Sequence, residues 1–101
     1  MSQSEMQHEM QHEAQHVSDR VRRYIVDNFL YMHDAYELSD DDALLGKGIV
    51  DSLGVMELIS FIEEEFGVVV ADADVTERNF ETVAAVARYV LARGAAARPA
   101  A

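Results

Sequence analysis

Apolar residues recur at helical spacings along most of the chain. Over residues 17–31 they follow an i, i+4, i+7, i+8, i+12 pattern, which predicts a first helix with one core-facing side. The members of this stripe are Val17, Val21, Tyr24, Ile25 and Phe29. A second helix is predicted over residues 53–66, because Gly67 suits a C-cap and either Asp51 or Ser52 can cap the start. Its core stripe consists of Val55, Leu58, Ile59, Ile62 and Phe66.

The pattern loses its period between these helices, over residues 33–50. This stretch contains two glycines and an acidic run at residues 40–42, which we interpret as a solvated turn. Connections of this length are uncommon in small domains and are often functional. We expect its apolar side chains to pin it to the core, namely Tyr36, Leu38, Leu44, Leu45 and Ile49.

Two further helices are predicted after the second one. The valines at residues 68–70 are expected to form an extended connector, because the chain offers no second strand to pair with them. A short helical turn is predicted over residues 76–80, and a last helix over residues 82–93, with Thr82 as N-cap and Gly94 after its end. The core stripe of the last helix consists of Val83, Val86, Ala87 and Val90. The sum is an all-α, four-helix bundle with three long helices, one short helix and a long first loop.

The first 16 residues differ from the rest. Residues 5–16 contain three copies of a four-residue unit that ends in histidine, and we interpret residues 1–16 as a polar leader, disordered or a helical extension. Helical geometry would place His8, His12 and His16 on nearly one face, where imidazoles can bind a metal. Since no cysteine or clear carboxylate partner completes such a site, we predict no metal site. Residues 17–93 would then form the domain, and residues 94–101 a flexible tail.

Charge and composition narrow the function classes. The 101 residues suffice for one small domain, and 19 acidic against 8 basic residues give a net charge of −11. Such acidity disfavours binding to nucleic acid or anionic membrane surfaces and favours partners with basic patches. The chain has no cysteine, no segment apolar enough for membrane insertion and no secretory signal, so we expect a monomer in the cytoplasm.

The second helix carries an unusual outward face. Leu53 and Met56 lie off the predicted core stripe, among polar and acidic side chains and next to Ser52. Two large apolar residues at one helix start suggest a contact patch. By itself, an Asp-Ser pair before a helix is only a capping signal.

The motif at this helix start resembles that of the acyl carrier protein family. The resemblance rests on Gly-Ile-Val-Asp-Ser-Leu at residues 48–53, on Glu57-Leu58 and on Glu-Glu-Glu-Phe-Gly at residues 63–67, and covers residues 17–93. It implies that Ser52 carries 4′-phosphopantetheine, added from coenzyme A by a phosphopantetheinyl transferase, and that Asp51 and Leu53 are recognised by that enzyme. It also implies a surface for partner recognition formed by Met56, Glu57, Ser60, Glu63 and Glu64.

The resemblance further implies a carrier rather than an enzyme, with a thioester-linked cargo on the arm. Gly54 and the Asn79-Phe80 pair look most like free-standing carriers loaded by adenylate-forming ligases, such as D-alanyl carrier proteins. Fatty-acid or polyketide carriers, loaded by an acyltransferase, stay open as alternatives, as does an acidic interaction module that is never loaded. Catalysis is not expected, because the only histidine outside the leader, His33, would have to reach Ser52 and a bundle this small has little room for a cleft.

Overall fold

The computed structural model describes residues 3–30 and 37–97, with side chains over residues 13–30 and 37–94. These residues form four α-helices and no strand: α1 (Gln3–Phe29), α2 (Ser52–Phe66), α3 (Glu77–Phe80) and α4 (Val83–Ala97). A 3₁₀ turn at Asp72–Asp74, which the sequence pattern did not indicate, lies between α2 and α3. The predicted all-α bundle is confirmed.

The core is built from the predicted stripes of α1, α2 and α4. Most of their members are buried, while Tyr24, Phe29, Val55 and Phe66 pack half-buried at its edge. The buried members are Val17, Val21, Ile25, Leu58, Ile59, Ile62, Val83, Val86, Ala87 and Val90. The valine connector is neither helix nor strand, and Val68 and Val70 are buried while Val69 is exposed.

One predicted helix end was wrong, and another helix is longer than its core stripe. The first helix begins at Gln3 and includes the leader as a helical extension, one of its two predicted forms, because the repeated unit contains good helix formers and neither glycine nor proline interrupts it. The last helix continues through Gly94 to Ala97, because the glycine is followed by alanines, which have the highest helix propensity. The division into a leader, a domain and a tail stays a prediction.

The long connection is fastened to the bundle at Leu44. Its side chain is 1% exposed, and its amide donates to the carbonyl oxygen of Glu81 at 2.9 Å, at the junction of α3 and α4. Its carbonyl oxygen accepts hydrogen bonds from the amides of Ile49 and Val50, at 2.9 and 3.1 Å. Leu38 and Ile49 are buried in the core as predicted, whereas Leu45 is half-buried and does not pack against the core cluster. Tyr36 lies outside the described residues.

The acidic run is a turn with ion-pair partners. The amide of Asp42 donates to the carbonyl of Ser39, and the Asp40 carboxylate accepts from the guanidinium of Arg22 on α1 at 2.8 Å. The carbonyl oxygen of Asp40 accepts from the amide of Ala84 in the first turn of α4. The loop is therefore tied to both α1 and α4.

The ends of α2 are both capped. The Oδ1 atom of Asp51 accepts from the amide of Gly54 at 2.7 Å, so Asp51, and not Ser52, is the N-cap. Gly67 adopts the left-handed conformation that a C-cap requires (φ 66°) and its amide donates to the carbonyl of Glu63. Thr82 caps α4 as predicted, with its hydroxyl accepting from the amide of Ala85.

Replacing Leu44 should destabilise the protein strongly. Leu44→Ala leaves a cavity in the core and is expected to lower the free energy of unfolding by about 3 kcal/mol in urea denaturation. Leu53→Ala, which removes the same atoms from an exposed side chain, should change it by no more than about 0.5 kcal/mol. Equal effects of both substitutions would contradict the role of Leu44.

The identity of the N-cap can be tested by substitution. Asp51→Ala is expected to lower the free energy of unfolding by about 1 kcal/mol, because the amide of Gly54 loses its acceptor. Asp51→Asn should retain most of that stability, and Ser52→Ala should leave it unchanged. A larger loss for Ser52→Ala than for Asp51→Ala, measured by urea denaturation, would assign the cap to Ser52 instead.

Candidate functional site

Ser52 is the first residue of α2 and is exposed to solvent. Within the described part of the chain, its hydroxyl group takes part in no hydrogen bond. The two residues before Asp51, Ile49 and Val50, are buried and hydrogen-bonded to Leu44. The backbone at Ser52 is thus held firmly while its side chain stays accessible.

The start of α2 suits a phosphate ester. The first amides of a helix lack intrahelical partners and give its N-terminus a partial positive charge, which favours anions. Asp51 uses the amide of Gly54, and the amides of Ser52 and Leu53 precede it in the same turn. A phosphate joined to the Ser52 oxygen would lie beside this turn. The residues here therefore fit a covalently bound phosphopantetheine group.

Gly54 lies in an unusually crowded position. A Cβ atom at this residue would lie 2.8 Å from Cε1 of Phe29 and 2.9 Å from Cγ1 of Val50. It would also lie 3.2 Å from Oδ1 of Asp51, the capping oxygen. The first turn of α2 therefore approaches the end of α1 as closely as a residue without a side chain allows. The sequence pattern did not reveal this contact, because Phe29 is distant along the chain.

The outward face of α2 is exposed as predicted. Leu53 is 78% and Met56 55% exposed, and Glu57, Ser60 and Glu64 are exposed beside them. Among the described residues, the carboxylates of Glu57 and Glu64 form no ion pair or hydrogen bond. We call these five residues the α2 face. It combines an apolar patch next to Ser52 with uncompensated negative charge.

Glu63 is placed differently from the α2 face. It is half-buried, and its Oε2 atom accepts a hydrogen bond from the amide of Val70 at 3.1 Å. Its carbonyl oxygen accepts the C-cap hydrogen bond from Gly67. Glu63 thus holds the connector against the last turn of α2, and its role in partner recognition stays a prediction.

An aromatic row joins α2 to α1. The Tyr24 ring stacks on Phe61, with the ring centroids 4.1 Å apart. It also makes an edge-to-face contact with Phe29, with the centroids 6.0 Å apart. Burial raises the pKa of the Tyr24 hydroxyl, and the charges of Glu57 and Glu64 raise it further. Phe61 was missing from the predicted core stripe, although an aromatic residue at its shoulder was a signal for this contact.

Some of the remaining candidates for chemistry lie outside the described part of the chain. These are His33 and the side chains of His8 and His12, so the expectation that the leader holds no metal stays a prediction. No group of three histidine or carboxylate side chains suited to a metal occurs in the described part. None of the described helices is long and apolar enough to cross a membrane.

Comparison with known proteins identifies the family. The family model described as a phosphopantetheine attachment site matches residues 21–90, more than two thirds of the chain. No curated protein matches the chain. Domains of this family are non-catalytic carriers that interact with a phosphopantetheinyl transferase and with biosynthetic enzymes. The chain belongs to the phosphopantetheine attachment site family, whose domains carry a covalently attached 4′-phosphopantetheine group.

Proposed function

We propose that Ser52 is the attachment residue for 4′-phosphopantetheine. The observation that supports it best is the exposed hydroxyl at the first position of α2, beside an Asp51 carboxylate that is engaged in capping the helix. Because the aspartate is hydrogen-bonded and the serine, among the described residues, is not, the Ser52 hydroxyl is left accessible as a nucleophile at a fixed point of the backbone. The positive end of α2 then favours the phosphodiester that results.

The loading step follows from the chemistry of a serine hydroxyl and coenzyme A. The Ser52 oxygen attacks the β-phosphorus of the coenzyme A pyrophosphate and loses its proton. The bond from that phosphorus to the bridging oxygen breaks, and 3′,5′-ADP leaves with the electron pair. The separate transferase supplies the catalytic groups, while this chain supplies the nucleophile and its placement.

We propose further that the chain is a free-standing acyl or aminoacyl carrier that shuttles its cargo between biosynthetic enzymes. The terminal thiol of the arm supplies the thioester chemistry. Tethering raises the effective concentration of the cargo at each active site. An adenylate-forming ligase is the loading enzyme that we propose, with an amino acid or a short acyl group as cargo, and the resemblance to D-alanyl carriers at residues 48–54 supports this.

The α2 face is the proposed docking surface for these enzymes, together with Asp51 and Glu63. Leu53 and Met56 offer apolar contact, and the unpaired Glu57 and Glu64 attract a basic patch on the partner. Weak, charge-steered contacts suit a carrier that must release each enzyme after use. A second candidate function, an acidic docking module that is never loaded, would use the same face without Ser52.

Loading of Ser52 is tested by intact-mass measurement. After incubation with coenzyme A and a phosphopantetheinyl transferase, the protein should gain the mass of one phosphopantetheine group. Ser52→Ala should abolish the gain, and Ser39→Ala, which alters an exposed serine of the first loop outside the α2 face, should not. An unchanged mass, or a gain that survives Ser52→Ala, would refute the proposal and favour the docking module.

The charge of the α2 face is tested by reversing it. Glu57→Lys or Glu64→Lys should slow loading on the order of tenfold at low salt, because steering of the transferase is lost, and added salt should reduce the difference. Asp72→Lys is a matched control, since this exposed carboxylate follows the opposite end of α2. If all three variants load at the same rate, the acidity serves only solubility.

A further inference from the structure

We infer that Gly54 and Phe29 are positioning residues for the modification of Ser52, an inference that rests on the proposed function. Gly54 is buried in the first turn of α2, two residues after Ser52. Its α-carbon packs against the ring of Phe29, the last residue of α1, where no Cβ atom fits. The orientation of the Ser52 hydroxyl would then be set by a contact between two helices.

The neighbours of Gly54 cannot easily yield to an added methyl group. The Phe29 ring makes an edge-to-face contact with Tyr24, which in turn stacks on Phe61 of α2. Val50 is fully buried, and its amide is hydrogen-bonded to Leu44. The first turn of α2, exposed on its other side, is the part that can move. A side chain at residue 54 would therefore displace the backbone that carries Ser52 and Leu53.

The helix cap depends on the same contact. The capping oxygen of Asp51 lies 2.7 Å from the amide nitrogen of Gly54, and only 3.2 Å from the position of an added Cβ atom. A methyl group here would press on the hydrogen bond that fixes the start of α2. Helix propensity alone would favour alanine over glycine at this position, so packing and not propensity explains the glycine.

The expected consequence is a slower chemical step. Transfer requires the Ser52 oxygen to lie in line with the bond that breaks, between the phosphorus of coenzyme A and the leaving oxygen. A displacement on the order of 1 Å from this position can cost much of the rate. Gly54→Ala is therefore expected to lower kcat for loading about tenfold or more. The KM for coenzyme A should not change, since the transferase binds that substrate by itself.

The test compares loading rates of four variants by intact mass, at a temperature where circular dichroism shows each one folded. Gly54→Ala should load slowly, and the double variant Gly54→Ala with Phe29→Leu should recover most of the rate, because leucine lacks the Cε1 atom that the methyl group meets. Gly94→Ala is the matched control, a helical glycine with open space around its Cβ position, and should load like the parent chain. Phe29→Leu alone should slow loading severalfold, because the first turn loses its support.

The outcomes separate this inference from the proposal for Ser52. Parent-like kcat in both Gly54→Ala and Phe29→Leu would overturn the positioning role while leaving Ser52 as the attachment residue. A slow Gly54→Ala that Phe29→Leu does not rescue would also overturn it, because the defect would then not arise from the ring contact. If Gly54→Ala does not fold, parent-like kcat in Phe29→Leu overturns the inference and a slowed one supports it. Absence of loading in the parent chain would overturn both proposals.

Discussion

The position of Ser52, the proposed attachment residue, depends on how the long first connection is closed. Leu44 does this with all of its groups at once: its side chain fills the core, its amide bonds to the α3–α4 junction, and its carbonyl oxygen accepts two amides from the residues that lead into α2. These hydrogen bonds are buried or lie against the core. Breaking one of them there would leave its polar groups without a partner and away from water, which is costly. These contacts of Leu44 thus fix the start of α2 independently of the side chains of the helix itself.

From the other side, the start of α2 is fixed by the close approach of Gly54 to Phe29 and Val50. The two constraints meet at Asp51, whose carboxylate bonds to the amide of Gly54 and whose neighbour Val50 is held by Leu44. Backbone and buried groups therefore determine the geometry, while Ser52 and Leu53 extend into solvent. This separation holds the backbone at Ser52 in place and still leaves the hydroxyl accessible, as the proposed attachment role requires.

The sequence predicted those features that a single helix determines by itself. The stripes of α1, α2 and α4 were correct, because a 3.6-residue period records directly which side faces the core. The choice between Asp51 and Ser52 as N-cap stayed open, because both side chains accept hydrogen bonds from a first-turn amide. The end at Ala97 was missed, because the alanines around Gly94 outweigh a weak stop signal, while the leader was left open between a helix and disorder. The packing of Gly54 and the bond from Val70 to Glu63 arise only when separate segments meet.

Among the described residues, the distribution of ion pairs leaves most carboxylates of α2 without a basic partner. Four basic residues, Arg20, Arg22, Arg23 and Lys47, lie on α1 and the first loop, and each is paired with a carboxylate. Helix α2 contains no basic residue, and only Glu65 of its acidic residues belongs to one of these pairs, with Arg20. The carboxylates that brace the fold are thus different from those of the α2 face. Because exposed charges contribute little to stability, the proposed docking role of that face would not weaken the bundle.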